Sequence, residues 1–276
     1  MLNTVYVYNT FMTIRALGLV DDLLSSGAEV FDTADVSARL NLSRQATSNL
    51  LTRLVRLGLI DRVARGRYAI RQLGSLGTRA ASEDVALAVG AAFQSRPHRI
   101  AFRSALDHHG LLLYPAREIV VATDTSTSLS TISGRPARIV IETPERLGIG
   151  AVDAGHGARV SSVERALLES AARPRLAGGI DTVASALSLA DVDPDTLMHI
   201  ARELGARAGL HRLGSLAAVL EIDELASALR PLTAHGRVVP LDPEYAADAL
   251  PGAWRHEEWG VDWPYPASEL AAATWS

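Results

Sequence analysis

The sequence predicts an α+β protein: an N-terminal winged helix-turn-helix followed by a mixed α/β C-terminal domain. Two helical patterns meet at a tight turn around residues 41–43. Just after them, two short alternating stretches, 59–63 and 67–71, are joined by Ala64, Arg65 and Gly66, as in a hairpin. Further on, apolar runs at 119–123 and 137–142 sit among helical patterns and read as buried strands.

In chain order, residues 9–26 place Phe11, Ile14, Leu17, Leu23 and Leu24 at helical spacing, and Gly27 ends that helix. Residues 31–40 predict a short helix capped by Asp32 or Thr33, with Val36 and Leu40 inward. Asn41, Leu42 and Ser43 form the turn. The next helix runs from the N-cap Ser43 to Gly58, which sits where a left-handed C-terminal residue is wanted. Ala46, Leu50, Leu54 and Leu57 make its apolar stripe. The other face has no carboxylate and offers guanidinium forks, amides and hydroxyls, the groups that read base edges and hold phosphates. A merely solvated helix would mix in acids, since opposite charges four apart support each other. A helix-turn-helix sends its second helix into the major groove. The predicted nucleic-acid contacts on the helix are therefore Ser43, Arg44, Gln45, Thr47, Ser48, Asn49, Thr52, Arg53 and Arg56. Arg62, Arg65 and Arg67 on the hairpin would complete them.

Charge is distributed unevenly. The 276-residue chain has a formal net charge of −4, yet residues 39–71 hold eight arginines and one acid, Asp61, a local balance of +7. Such a patch supplies the sequence-independent part of affinity for a polyanion. All 27 basic residues are arginine, a bias that weakens any argument from the choice of arginine at a single position.

The remaining composition excludes several classes. There is no cysteine, hence no disulfide, thiol nucleophile or thiolate metal site. The first residues lack the basic region and cleavage site of a secretory signal, and no apolar run approaches the ~20 residues that cross a bilayer. These features predict a soluble bacterial cytoplasmic protein, nucleoid-associated when bound, with no membrane partner and no cofactor. The expected division is a winged-helix domain at 1–74, a hinge at 75–84 and an α/β domain at 85–276, whose tail at 231–276 is acidic and rich in Trp and Pro. In the second domain, helices are expected near 83–95, 100–110, 163–169, 180–189, 194–207 and 210–221. A turn or loop is expected at 124–136 and a short strand near 158–161.

The stretch at 98–111, a strand pair, then Val-Ser-Ser-Val-Glu-Arg-Ala-Leu-Leu-Glu-Ser at 160–170, resembles the AbiEi antitoxins, which are transcriptional regulators of abortive-infection systems. The segment at 209–221 is similar to that family's following helix, and Glu164 to Leu168 is the most specific piece. The resemblance implies a repressor that binds inverted repeats of double-stranded DNA in its own promoter. It also implies a C-terminal domain that counters a nucleotidyltransferase-like toxin. No residue-level motif for that second surface transfers.

Other features have plainer readings. Glu164 suits the first turn of a helix and Arg165 could bridge to the sheet. Adjacent His108 and His109 point apart on a helix and do not share a metal easily. The glycine pairs at 148–150 and 155–157 read as turns, because neither follows a strand and opens a helix. The tail's tryptophans could form a partner surface, fold over the arginine-rich front, or pack on the second domain. Two competing functions stay open: a ligand-sensing winged-helix repressor without a toxin, and, against the missing metal cluster, a DNA-targeted enzyme.

Overall fold

The structure, a computed structural model, describes residues 18–23, 25–26, 29–71, 84–94, 96–233, 238–245 and 250–274, with side chains of 231–233 and 271–274 left out. The expected residues 9–17, Leu24 and Gly27 of the first helix, the hinge at 75–83 and Trp275 lie outside this set. Contacts divide the chain into two compact units. The first takes in residues up to 95, 128–137 and 155–158; the second takes in 96–127, 138–154 and 159–276.

The first unit is a winged helix. A helical stretch at 18–23 (α1) precedes β1 (Val30–Asp32), α2 (Thr33–Leu40), α3 (Arg44–Arg56), β2 (Ile60–Ala64) and β3 (Arg67–Ile70). The three strands pair in the order β1-β3-β2, both pairings antiparallel. The sequence predicts only a two-stranded ribbon. The third strand arises because Val30 and Phe31 pair with Ala69 and Tyr68, a long-range register that no local pattern announces. Asp32 caps α2 through a reciprocal capping box with Asp35. α2 then ends on left-handed Asn41, with the Leu42 N–H donating to Ser37 O and the Asn41 N–H to Ala38 O. α3 ends in the same way at Gly58 (φ 67°): the Leu59 N–H reaches Leu54 O and the Gly58 N–H reaches Val55 O. Leu19, Val20, Leu23, Phe31, Val36, Leu50, Leu51, Leu54, Ile60, Tyr68 and Ile70 form one core.

Helix α4 (Val85–Phe93) was expected in the second domain, yet it clusters with the first unit. Eight of its nine residues are buried, so it must lie inside a core, and it packs on β2 and β3. The β-turn carbonyl of His156 crosses it at Gly90, the position where a side chain could not fit: an added Cβ would stand 2.2 Å from that oxygen.

The second unit is built on a six-stranded sheet of order β6-β7-β5-β4-β9-β8: β4 (His98–Ile100), β5 (Ile119–Thr123), β6 (Thr131–Ile132), β7 (Arg135–Ile141), β8 (Ala151–Gly155) and β9 (Ala158–Ser161). The ends of the β6–β7 and β8–β9 hairpins are the segments counted with the first unit. β4 runs antiparallel to β5 and parallel to β9. The segment expected as a helix from about residue 100 begins as β4 and becomes α5 only at Arg103–His108. The expected loop at 124–136 contains β6, and the glycine pair at 155–157 is the β8–β9 turn. Short α6 (Pro144–Gly148) was not foreseen.

Six helices follow the sheet: α7 (Val163–Ala172), α8 (Pro174–Ala177), α9 (Ile180–Leu189), α10 (Pro194–Leu204), α11 (Arg207–Val219) and α12 (Asp223–Thr233). α7 packs against α5, α9, α10 and α11, and Arg165 to Ala171 are all buried. The charged side chains of this helix, Arg165 and Glu169, are therefore buried along with its apolar ones.

The tail is part of this unit. β10 (Val239–Pro240), β11 (Trp254–His256) and β12 (Val261–Trp263) make a small sheet in the order β10-β12-β11, followed by α13 (Ala267–Thr274). Trp259 and Trp263 are fully buried. The His211 ring donates from Nδ1 to Trp259 O at 2.5 Å, and Trp263 Nε1 donates to Ser215 Oγ at 2.8 Å. Packing on the second unit is thus the reading that holds for these two tryptophans. Gly214 makes it possible: an added Cβ would lie 2.0 Å from the Trp259 ring. Gly214→Ala should destabilise the chain by about 1–3 kcal/mol, the usual cost of overpacking. Urea unfolding followed by tryptophan fluorescence reads this directly; an unchanged midpoint would show that the ring yields freely.

Candidate nucleic-acid interface

The face that α3 shows to solvent follows from the one it buries. Thr47, Leu50, Leu51 and Leu54 are its buried residues. This corrects the expected stripe, since Leu57 is 46% exposed and Ala46 only half-buried. It also corrects Thr47 as a nucleic-acid contact: its side chain is fully buried and its hydroxyl donates to Ser43 O at 3.1 Å. Threonine at this spacing packs through its methyl group and satisfies its hydroxyl one turn back, so residue type alone placed it on the wrong face.

The other predicted residues of α3 lie outside. Ser43, Arg44, Gln45, Ser48, Asn49, Thr52 and Arg56 are exposed, and Arg53 is half-buried. Ser43 Oγ accepts the Ala46 N–H as N-cap. Gln45 Nε2 donates to Asn49 Oδ1 at 3.1 Å, which pre-orients two amides one turn apart. Thr52 donates its hydroxyl to Ser48 O. Arg44 and Ser48 join Arg62, Arg65 and Gly66 around one open groove, together with Thr33 and Tyr68. Asn49, Thr52, Arg53 and Arg56 line a second hollow further along the helix. The helix residues and the wing arginines expected to act together are therefore contiguous.

The wing is held in place from α2: the Thr33 N–H and hydroxyl both donate to Gly66 O, at 2.9 and 3.1 Å. The place of Thr33, Ser37 and Tyr68 on the groove is not legible in the sequence, because it depends on the strand pairing. Arg67 is engaged elsewhere, a second departure from the expected set. Its Nη1 donates to the carbonyls of Ala91 (2.9 Å) and Ala92 (3.3 Å) at the C-terminal end of α4. Arg71, part of the local basic count, forms a buried pair with Asp61 at 2.7 Å. The exposed arginines of this stretch are Arg39, Arg44, Arg56, Arg62 and Arg65.

In the second unit the charged residues meet inside. Arg99 donates to Ser161 Oγ, Leu147 O, Glu142 and Glu169, the last at 2.8 Å. Arg165 donates to Glu169 through Nε and to Glu142 through Nη2. Glu169 also accepts from the Phe102 N–H at 2.8 Å and from the Ser161 hydroxyl at 2.7 Å. Burial alone would push the Glu169 carboxyl up, but Arg99 and Arg165 hold it below the ordinary carboxylate range. Burial in turn lowers Arg165, against the pull of Glu169. Arg165 thus does bridge to the sheet, and Glu164 accepts from the Ser162 N-cap hydroxyl at the start of α7. Among the described residues no three His, Asp or Glu side chains are grouped to hold a metal. His109 instead bonds Ser161 O through Nε2. Among the described residues no helix is long and apolar enough to cross a membrane.

A winged helix-turn-helix joined to a mixed α/β body is the class of protein that this fold and face define. The family comparisons sharpen it. Residues 19–71 match the model of AbiEi-type transcriptional regulators and antitoxins, and residues 99–219 match the AbiEi antitoxin C-terminal domain. The chain belongs to the AbiEi antitoxin family. Among solved structures it is similar to the RV2827C protein of Mycobacterium tuberculosis, at 17% identity and a TM-score of 0.67, covering 94% of each chain; that likeness concerns the fold. No curated protein matches the chain.

The buried Arg–Glu cluster can be tested separately. Glu169→Gln should cost about 3–5 kcal/mol, because it leaves two guanidiniums short of a charge partner inside the unit. Guanidinium-chloride unfolding measures the loss, and a cost under about 1 kcal/mol would mean that the cluster is not closed.

Proposed function

We propose that this protein is a sequence-specific DNA-binding repressor that occupies inverted repeats in its own promoter. In this reading it acts in the bacterial cytoplasm, on the nucleoid when bound. Its second unit counters a nucleotidyltransferase-like toxin. One observation carries the DNA part: the exposed, carboxylate-free face of α3 runs on into the wing arginines Arg62 and Arg65 around a single groove. α3 would lie in the major groove, with Arg44, Gln45, Ser48, Asn49, Thr52 and Arg53 towards base edges and Ser43 and Arg56 near the backbone. The wing would place Arg62 and Arg65 on phosphates. Arg67 and Thr47 have structural duties instead. Repression then follows from occupancy of the promoter and needs no catalytic step.

Family membership supports the antitoxin part, and the toxin surface has no residue assignment. Co-expression of the chain with the product of an adjacent nucleotidyltransferase-like reading frame is the functional check on that part.

Fluorescence anisotropy with duplex DNA from upstream of the coding sequence tests the DNA part. With Arg56, Arg62 and Arg65 on phosphates, log affinity should fall with log salt at a slope of about −3 per protomer. Arg44→Ala with Arg53→Ala should weaken binding by about tenfold or more, while Arg65→Ala should reduce the slope by about 1. Arg67→Ala should leave affinity unchanged and lower unfolding stability by about 1 kcal/mol. Full affinity in the Arg44/Arg53 double variant would overturn the assignment of α3.

A further inference from the structure

The buried cluster of the second unit leaves one donor unused. Arg165 spends Nε and Nη2 on Glu169 and Glu142, but its Nη1 has no hydrogen-bond partner, although the residue is only 2% exposed. A buried guanidinium N–H without an acceptor is costly, so a group left this way calls for an explanation. Arg165 also lines a cavity of about 40 Å³, space for roughly two or three waters.

Two further arginines line that cavity, Arg146 from α6 and Arg173 from the end of α7, and both are exposed, so they stand at its mouth. Arg146 is steadied by a bond from Nη1 to Leu204 O at 3.0 Å. Arg173 lies over the Phe102 ring, its guanidinium carbon 5.8 Å from the ring centre. The two carboxylates in the wall are already engaged: Glu142 by Arg99 and Arg165, and Glu169 by both of these, the Phe102 N–H and Ser161. Counting Arg99 behind the wall, four guanidiniums face two carboxylates, an excess of two positive charges. The residue with the unused donor and the two surplus cations all line the same small space.

We propose that this cavity binds a small oxyanion of phosphate type, with one oxygen accepting from Arg165 Nη1 and the others held by Arg146 and Arg173 at the mouth. The space admits an oxyanion and no ring, so free phosphate and the phosphoryl end of a nucleotide would present the same group, the nucleoside remaining outside. The site lies wholly within the second unit and stands whether or not α3 binds DNA.

Calorimetric titration of the full chain with inorganic phosphate, and in parallel with adenosine monophosphate, tests the proposal. One phosphate per chain should bind, with a matching rise in melting temperature. Arg146→Ala and Arg173→Ala should each weaken binding roughly tenfold or more, as loss of a charge-assisted contact does. Arg165→Met should abolish it; if that variant does not fold, the two exposed rim variants decide. Binding should survive in the Arg44→Ala/Arg62→Ala/Arg65→Ala variant, which removes the competing arginines of the first unit. Equal affinity for both ligands assigns free phosphate as sufficient, and tighter binding of the monophosphate assigns a nucleotide. No binding up to about 10 mM phosphate, or binding lost in the triple variant and kept in the rim variants, would overturn the site.

Discussion

The direction in which α3 faces is fixed by four side chains beneath it. Thr47, Leu50, Leu51 and Leu54 are 0–2% exposed. Burying each leucine contributes about 1.5–3 kcal/mol. Turning the helix by one residue would replace that stripe with Ser48, Leu51, Thr52 and Val55, exchanging apolar for polar burial and exposing Leu50 and Leu54. The arginines, amides and hydroxyls of the opposite side are thus presented as a rigid set. The hydrogen bonds of Thr33 to Gly66 tie the wing turn to α2. α2, α3 and the wing therefore form one surface.

Besides the buried ion pairs of Arg71, Arg99 and Arg165, arginine has two further uses in this chain. In one it is exposed, as at Arg44, Arg62 and Arg65. In the other it closes the open carbonyl end of a helix. Arg67 donates to the last turn of α4, Arg212 to Ala171 and Ala172 at the end of α7, Arg103 to Ala177 at the end of α8, and Arg146 to Leu204 at the end of α10. A cation at a helix C-terminus meets the negative end of the dipole, and the planar fork can serve two carbonyls at once. Since the chain has no lysine, arginine carries out every such task. Its count along the sequence therefore overstates the positive charge free for a polyanion. Of the eight arginines of residues 39–71, Arg71 is paired with Asp61 and Arg67 serves α4.

Local chemistry was legible where it acts over a few residues. The Asp32 and Ser43 caps, Gly58, the Ala64–Gly66 turn and the 119–123 strand follow from neighbours in sequence and stand in the structure. What escaped depends on distant partners. β1 is a strand only because residues nearly forty positions on accept its register. β8 is short and largely exposed, with no apolar alternation to mark it. In the candidate interface, Thr47 has the composition of a contact residue and the position of a core residue. Arg67 has the position of a wing arginine, and only the placement of α4 shows where its guanidinium goes. The Arg99–Glu142–Arg165–Glu169 cluster joins β4, the end of β7 and α7 across seventy positions. Of these four residues only Arg165 has a role legible in the sequence; Arg99, Glu142 and Glu169 fall within recognised stretches, but their meeting depends on distant partners.

A hydroxyl-radical footprint of the full chain on DNA upstream of its coding sequence reports where along the duplex the α3 face and the wing rest. The account predicts two protected segments on one side of the helix, related by inverted symmetry and about one helical turn or a multiple of it apart. Uniform cleavage at protein concentrations that saturate any binding would contradict it.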